Sequence, residues 1–185
     1  DAIPDIEKAP SKADLNMKRI LALDDDPSIM DFIGKVLDSK GYQTFTTTDC
    51  AEFFTLFREQ PIDLVLLDIK QFNPERHRTL TGRSNEQTLR TAAWLEEHEH
   101  PFWLRYVLVP GYSDSEEDTR LLGESLGKYQ QIQRVEILPY HRLGVHKYEA
   151  MGWDYKLKEV KENTPEQLER AEKLFKEYFT NVITN

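Results

Sequence analysis

Cysteine is nearly missing from this chain: Cys50 is the only one in 185 residues. A disulfide within the chain is therefore excluded, and a cytoplasmic setting is the natural expectation. Long apolar runs are missing as well. No stretch approaches the ~20 residues needed to cross a bilayer, and no signal peptide is visible, so a membrane partner is not expected. Basic runs are absent: the net charge is -9 and no five consecutive residues are Lys or Arg. Binding to a nucleic-acid backbone is not expected from such a balance. There is no internal repeat and no low-complexity segment. What remains is an ordinary globular composition, long enough for one compact domain and short for two.

Residues 1–16 are polar, carry Pro4 and Pro10 and show no period, and they read as a leader, linker or cloning remnant. From Met17 onward, strands and helices alternate through residue 185. Arg19–Leu23 is a short apolar run suited to a strand buried on both faces. Asp26-Pro27 opens a helix whose Ile29, Met30, Ile33, Val36 and Leu37 recur at helical spacing, and Gly41 closes it. Tyr42–Thr46 reads as the second strand, Asp49 as a helix cap, and Ile62–Asp68 as the third strand. Gln71–Ser84 reads as a long polar loop. Asn85 then caps a helix to about His98, with Leu89, Ala92, Ala93 and Leu95 inward. Phe102–Val109 and Val135–Leu138 are the fourth and fifth strands. Acidic residues Asp114 to Asp118 favour the start of the helix between them. Thr164-Pro165-Glu166-Gln167 is a capping box opening a last helix that reaches Phe179. The expected fold is α/β: a flavodoxin-like, doubly wound, five-stranded parallel sheet of order 2-1-3-4-5. A partial (βα) barrel is the alternative.

In that sheet the first and third strands are neighbours, so Asp24, Asp25 and Asp26 meet Asp68 at the strand ends where such folds bind ligands. Converging carboxylates repel one another, and a hard divalent cation relieves this; Mg²⁺, with oxygen ligands and a phosphate, suits the place. The plainer alternative is that Asp26 caps a helix and Asp68 merely ends a strand.

The stretch ILALDDDPSIMDFIGKVLDSKGY with PIDLVLLDI resembles the receiver domain of response regulators. The resemblance implies Mg²⁺ held by Asp24, Asp25, Asp68 and the backbone carbonyl of Lys70, with Asp68 as phosphoacceptor and a histidine kinase as partner. Two receiver positions are not matched. Pro110 stands where the fourth strand should end in Ser or Thr, and Leu138 where a Lys should precede Pro139. Lys70 or Arg105 could supply the missing positive charge.

From about Leu66, LLDIKQFNPERHRTLTGRSN, RYVLVPGYSDSEED and EILPYHRLGVHKYEAMG resemble the C-terminal half of pyruvate formate-lyase activating enzymes, a radical-SAM family. The resemblance implies that Asp68, Lys70, Arg105 and His141 line a vestigial S-adenosylmethionine and cation site, and that a glycyl-radical enzyme is a partner. That family holds an iron–sulfur cluster with several Cys thiolates; one cysteine cannot, so neither the cluster nor tight S-adenosylmethionine binding is expected. Both likenesses share Leu66–Lys70. The expectation is a single domain over residues 17–185, receiver-like to about 68 and activase-like from about 66. Such a chain is a chimera, engineered or recombined, that is not an enzyme and associates weakly with itself through open sheet edges.

The remaining chemistry-bearing residues read as structural. His98 and His100 fall in a solvated loop, His77 in the long polar loop, and His146 in the HKYEAMG segment. Cys50 reads as an inert helix residue, and Trp94, Trp103 and Trp153 as packing anchors.

Overall fold

The structure is a computed structural model that describes residues 17–24, 27–141 and 157–184. Residues 1–16, the acids Asp25 and Asp26, and the expectations placed on His146 and Trp153 lie outside the described residues.

The apolar run forms β1 (Arg19–Leu23), with all but its first residue buried. Helix α1 (Pro27–Ser39) follows, and Gly41, at φ 83°, makes the left-handed turn that leads into β2 (Gln43–Thr47). Asp49 caps α2 (Cys50–Glu59) as expected, its carboxylate accepting from the N–H groups of Ala51 and Glu52. Strand β3 is Leu64–Asp68. The expected loop after it holds an eight-residue helix, α3 (Pro74–Thr81). Asn73 caps it, Pro74 takes its first turn, and Gly82 ends it at φ 78°.

Helix α4 (Glu86–Glu97) starts after Asn85, but Asn85 does not cap it. Its amide donates instead to the carbonyls of Gln71 and Phe72, tying down the approach to α3. Ala92 and Leu95 point inward, while Ala93 is exposed, a correction to the expected stripe. Then come β4 (Phe102–Leu108), α5 (Glu116–Leu126) and β5 (Ile132–Pro139). The Thr164/Gln167 capping box is present and opens α6 (Pro165–Phe175), which ends one turn earlier than expected. A short final strand, β6 (Val182–Thr184), was not foreseen.

All strands pair in parallel, in the order β2-β1-β3-β4-β5-β6. The flavodoxin-like order 2-1-3-4-5 is therefore present, extended by β6, and the open ends at β2 and β6 rule out the barrel. The chain steps from β1 out to β2, then crosses back to β3 and continues in one direction. Right-handed crossovers then put α1 on one face and the later helices on the other. Packing agrees: Met30 and Ile33 of α1 meet Ile20, Ala22 and Leu66. On the opposite face, Phe53, Ala92 and Leu95 cover Leu21, Leu23, Val65, Leu67 and Phe102. Further along that face, Leu122, Leu126 and Phe175 cover Leu104, Tyr106, Leu108, Val135 and Ile137. Among the described residues, no helix is long and apolar enough to cross a membrane.

Candidate functional site

β1 and β3 are where the chain reverses its direction across the sheet, the position at which open α/β sheets bind ligands. Asp24 follows β1 directly and Asp68 ends β3, so both carboxylates reach this crevice. Both are buried, Asp24 at 3% and Asp68 at 8% exposure.

Two cations meet them. The Lys70 ammonium lies 2.6 Å from Asp24 Oδ2 and 3.9 Å from Asp68 Oδ2. The Arg105 guanidinium donates to Asp68 Oδ1 at 3.1 Å and lies 3.5 Å from Glu136 Oε2. This second arrangement is fixed by the sheet, because Asp68, Arg105 and Glu136 are register partners across β3, β4 and β5. Side chains opposite one another in neighbouring strands share a face, so acid, base and acid stand in one line. Lys70 and Arg105, each expected as a source of positive charge, both stand beside the acids.

Burial pushes the Asp68 carboxyl well above the usual carboxylate range, against the downward pull of Arg105. A hydrogen bond with the Asp24 side chain and the charge of Asp24 raise it further, and Lys70 opposes them.

A cleft of about 90 Å³ opens on the cluster, lined by Asp24, Asp68 and Lys70 and by Thr48, Cys50, His77, Arg83, Gln87 and Thr88. His77 was read as part of a polar loop, yet it sits in α3 and is 8% exposed. Its Nδ1 bonds the Arg83 carbonyl at 2.9 Å, and since a carbonyl only accepts, that nitrogen carries the proton. Asn73-Pro74 and Gly82 were the signal for this helix in the sequence. Cys50 lines the same cleft, with its thiol pushed up by burial, so no thiolate is favoured there.

His141 stands two residues beyond β5, exposed, with Glu162 at 3.8 Å. The described contacts gather Asp68, Lys70 and Arg105 but not His141. His100 is half-buried with Nε2 2.9 Å from the Ile62 carbonyl, so only His98 has the exposed place expected of both. Asp118, read as a charge at a helix start, is buried and held by Arg76 at 2.6 Å and Gln71 at 2.9 Å. Among the described residues no trio of His, Cys, Asp or Glu is placed to hold a metal, and Asp25 lies outside them.

No protein-family model matches the chain. Over 112 residues it is 46% identical to the pyruvate formate-lyase-activating enzyme of Streptococcus mutans, covering 60% of this chain and 43% of that protein. Over that span its sequence is activating-enzyme-like. The pyruvate formate-lyase 1-activating enzyme of Escherichia coli K12 is 44% identical over 121 residues, covering 65% of this chain and 49% of that one. The chain thus spans about half the length of these curated relatives. Among solved structures, a domain of pyruvate-formate lyase-activating enzyme from Bacteroides vulgatus matches with a TM-score of 0.63 at 17% identity, over 89% of this chain and 97% of that one. The N-terminal domain of a response regulator receiver protein from Methanoculleus marisnigri is matched at 24% identity and a TM-score of 0.46, over 72% and 92% of the two chains.

The chain therefore combines activating-enzyme-like sequence with a flavodoxin-like sheet order. The expectation that it is not an enzyme is overturned: the curated relatives it matches are named as enzymes.

Proposed function

We propose that the crevice between β1 and β3 accepts a phosphoryl group on Asp68, with a divalent cation at the Asp24–Asp68 pair. The observation that carries this is the convergence of two buried carboxylates and two cations at the ends of adjacent strands. The donor set fits Mg²⁺, which takes one or two carboxylates with waters and phosphate oxygens. Asp24, Asp68 and the Lys70 carbonyl would hold it, and bound there it would offset charge on the transferred group.

The chain's own residues do the rest. Asp68 reacts as the carboxylate, which burial disfavours and the Arg105 and Lys70 charges support. A carboxylate oxygen then attacks phosphorus of a small acyl phosphate, the bond from phosphorus to the donor's carboxylate oxygen breaks, and the carboxylate leaves with that electron pair. Arg105 holds the other Asp68 oxygen in place, and Lys70 is within reach of the new phosphoryl oxygens. The cleft, about 90 Å³, is small beside the roughly 300–1,000 Å³ pockets that take drug-sized ligands, which is compatible with a small anionic ligand.

The test is a thermal melt with Mg²⁺ and beryllofluoride, paired with intact-mass detection of phosphate after incubation with acetyl phosphate. Wild type should melt higher and gain the phosphate, and Asp68→Asn should do neither. No shift and no adduct in a cooperatively melting protein would sink the reading.

A second reading is supported by the sequence likeness: an activating-enzyme activity toward a glycyl-radical partner, with S-adenosylmethionine against Asp68, Lys70 and Arg105. The iron–sulfur cluster does not fit this chain, because Cys50 is its only cysteine and burial disfavours its thiolate. Stabilisation by S-adenosylmethionine without Mg²⁺ would favour this second reading. Both readings take residues 17–185 as one domain whose likeness changes within Leu66–Lys70. A cytoplasmic setting belongs to the proposal, as does a histidine kinase as phosphoryl source.

A further inference from the structure

We infer that Lys70 is a tethered counter-ion that competes with a divalent cation for the Asp24–Asp68 pair, so that cation binding and release of the ammonium are one event. This rests on the proposed cation site and concerns its regulation.

Lys70 follows Asp68 by two residues, and its side chain folds back over the strand end to reach Asp24 Oδ2 at 2.6 Å and Asp68 Oδ2 at 3.9 Å. The Asp24 side chain is fully buried and that of Lys70 is only 18% exposed, so the ammonium sits inside the crevice. With three donors and no acceptor, an ammonium serves two carboxylates much as a metal ion does. It also has an advantage that Mg²⁺ lacks, since Mg²⁺ sheds its waters reluctantly. Arg105 is already seated on Asp68 Oδ1, so a divalent ion drawn to the Asp24 side would lie within ion-pair distance of the Lys70 ammonium and repel it strongly. The side chain is long and flexible, however, so the ammonium can move off while the backbone of β3 stays in register. Binding linkage is reciprocal: whatever Lys70 takes from cation affinity, the cation takes from Lys70's hold on the acids. The freed ammonium would then stand beside the acceptor, available to phosphoryl oxygens.

The experiment uses Mn²⁺ as a paramagnetic stand-in for Mg²⁺, titrated by water-proton relaxation into the full chain. Wild type is compared with Lys70→Met, Lys70→Gln, Lys70→Arg and Asp24→Asn. The two neutral variants should bind Mn²⁺ more tightly by about 5–150-fold, the usual span of a binding coupling. Lys70→Arg should stay near wild type, and Asp24→Asn should lose the site. In wild type, Mn²⁺ should also increase acylation of Lys70 by an amine reagent, read by peptide mass spectrometry. That arm needs no variant to fold. Equal or weaker Mn²⁺ binding by the neutral variants, or Lys70 acylation indifferent to Mn²⁺, overturns the inference while leaving the cation site standing. Absence of Asp24-dependent binding in every protein overturns both.

Discussion

The two halves of the sheet are built differently. In the β1–β3 half the strands are solid apolar runs, β1 and β3 each buried at every residue after the first, because α1 covers one face and α2 with α4 the other. In the β4–β5 half burial alternates: Leu104, Tyr106 and Leu108 are buried beneath α5 and α6, Phe102 lies beneath α2 and α4, and Trp103, Arg105 and Val107 between them are only half-buried. Strand β5 repeats this, with Val135 and Ile137 buried and Arg134 and Glu136 partly exposed. A strand covered on both faces has no room for charge, whereas a strand covered on one can carry it on the other. The difference explains the site. Asp68 is the last residue of a two-sided strand, and its counter-charge Arg105 comes from the one-sided strand beside it.

The comparison is broken most severely by emptying either core. Phe175→Ala, beneath β4 and β5, and Phe53→Ala, beneath β1 and β3, should each cost about 3–5 kcal/mol in urea unfolding. If the halves form one cooperative unit, both variants will keep a single transition by fluorescence and by circular dichroism. A smaller loss is expected from Gly123→Ala. The added carbon would lie 2.3 Å from the Tyr178 ring, an overlap that should cost about 1–3 kcal/mol, measured by the same unfolding curves. Thr164→Ala should cost about 1 kcal/mol by removing the cap of α6, leaving the β1–β3 half unaffected in hydrogen exchange.

The smallest effect has the opposite sign. The Asp68 carboxyl is held above its unfolded value, so its protonated form favours the fold. That contribution is full below the ordinary carboxylate range and is lost as pH rises through the raised folded value. Asp68→Asn, which mimics the protonated acid, should therefore melt a few degrees higher than wild type at neutral pH, with the two curves converging in acid. A lower melting temperature for the variant at neutral pH would mean that the pairing with Arg105 outweighs burial.

Much of this was legible in the residues. Arg19–Leu23 could only be a doubly buried strand, and Asp49 and Thr164 declared their helices because capping is local chemistry. α3 was harder: PERHRTLT has almost no apolar stripe, and its evidence was confined to Asn73-Pro74 before it and Gly82 after it. β6 is three residues long and becomes a strand only because β5 offers a free edge. Asn85 misled because the same amide that can cap a helix can tie down a loop, and tertiary neighbours chose the second. The acids of the site were foreseen at Asp24 and Asp68. Arg105 as partner to Asp68 and Glu136 at once required the register of three strands, which no local pattern contains.

Strand β3, which ends in Asp68, is a central strand bonded to β1 on one side and β4 on the other. A strand held on both edges, unlike a linker, offers no place to cut. A protease that opened the turn between α4 and β4 would strip β3 of its partner along Val65 to Asp68 and expose Leu67 and Leu104 together. The fragments would have to stay associated or unravel as a pair. The strand that carries the acceptor acid is thereby hidden from cleavage by the hydrogen bonds on both of its edges.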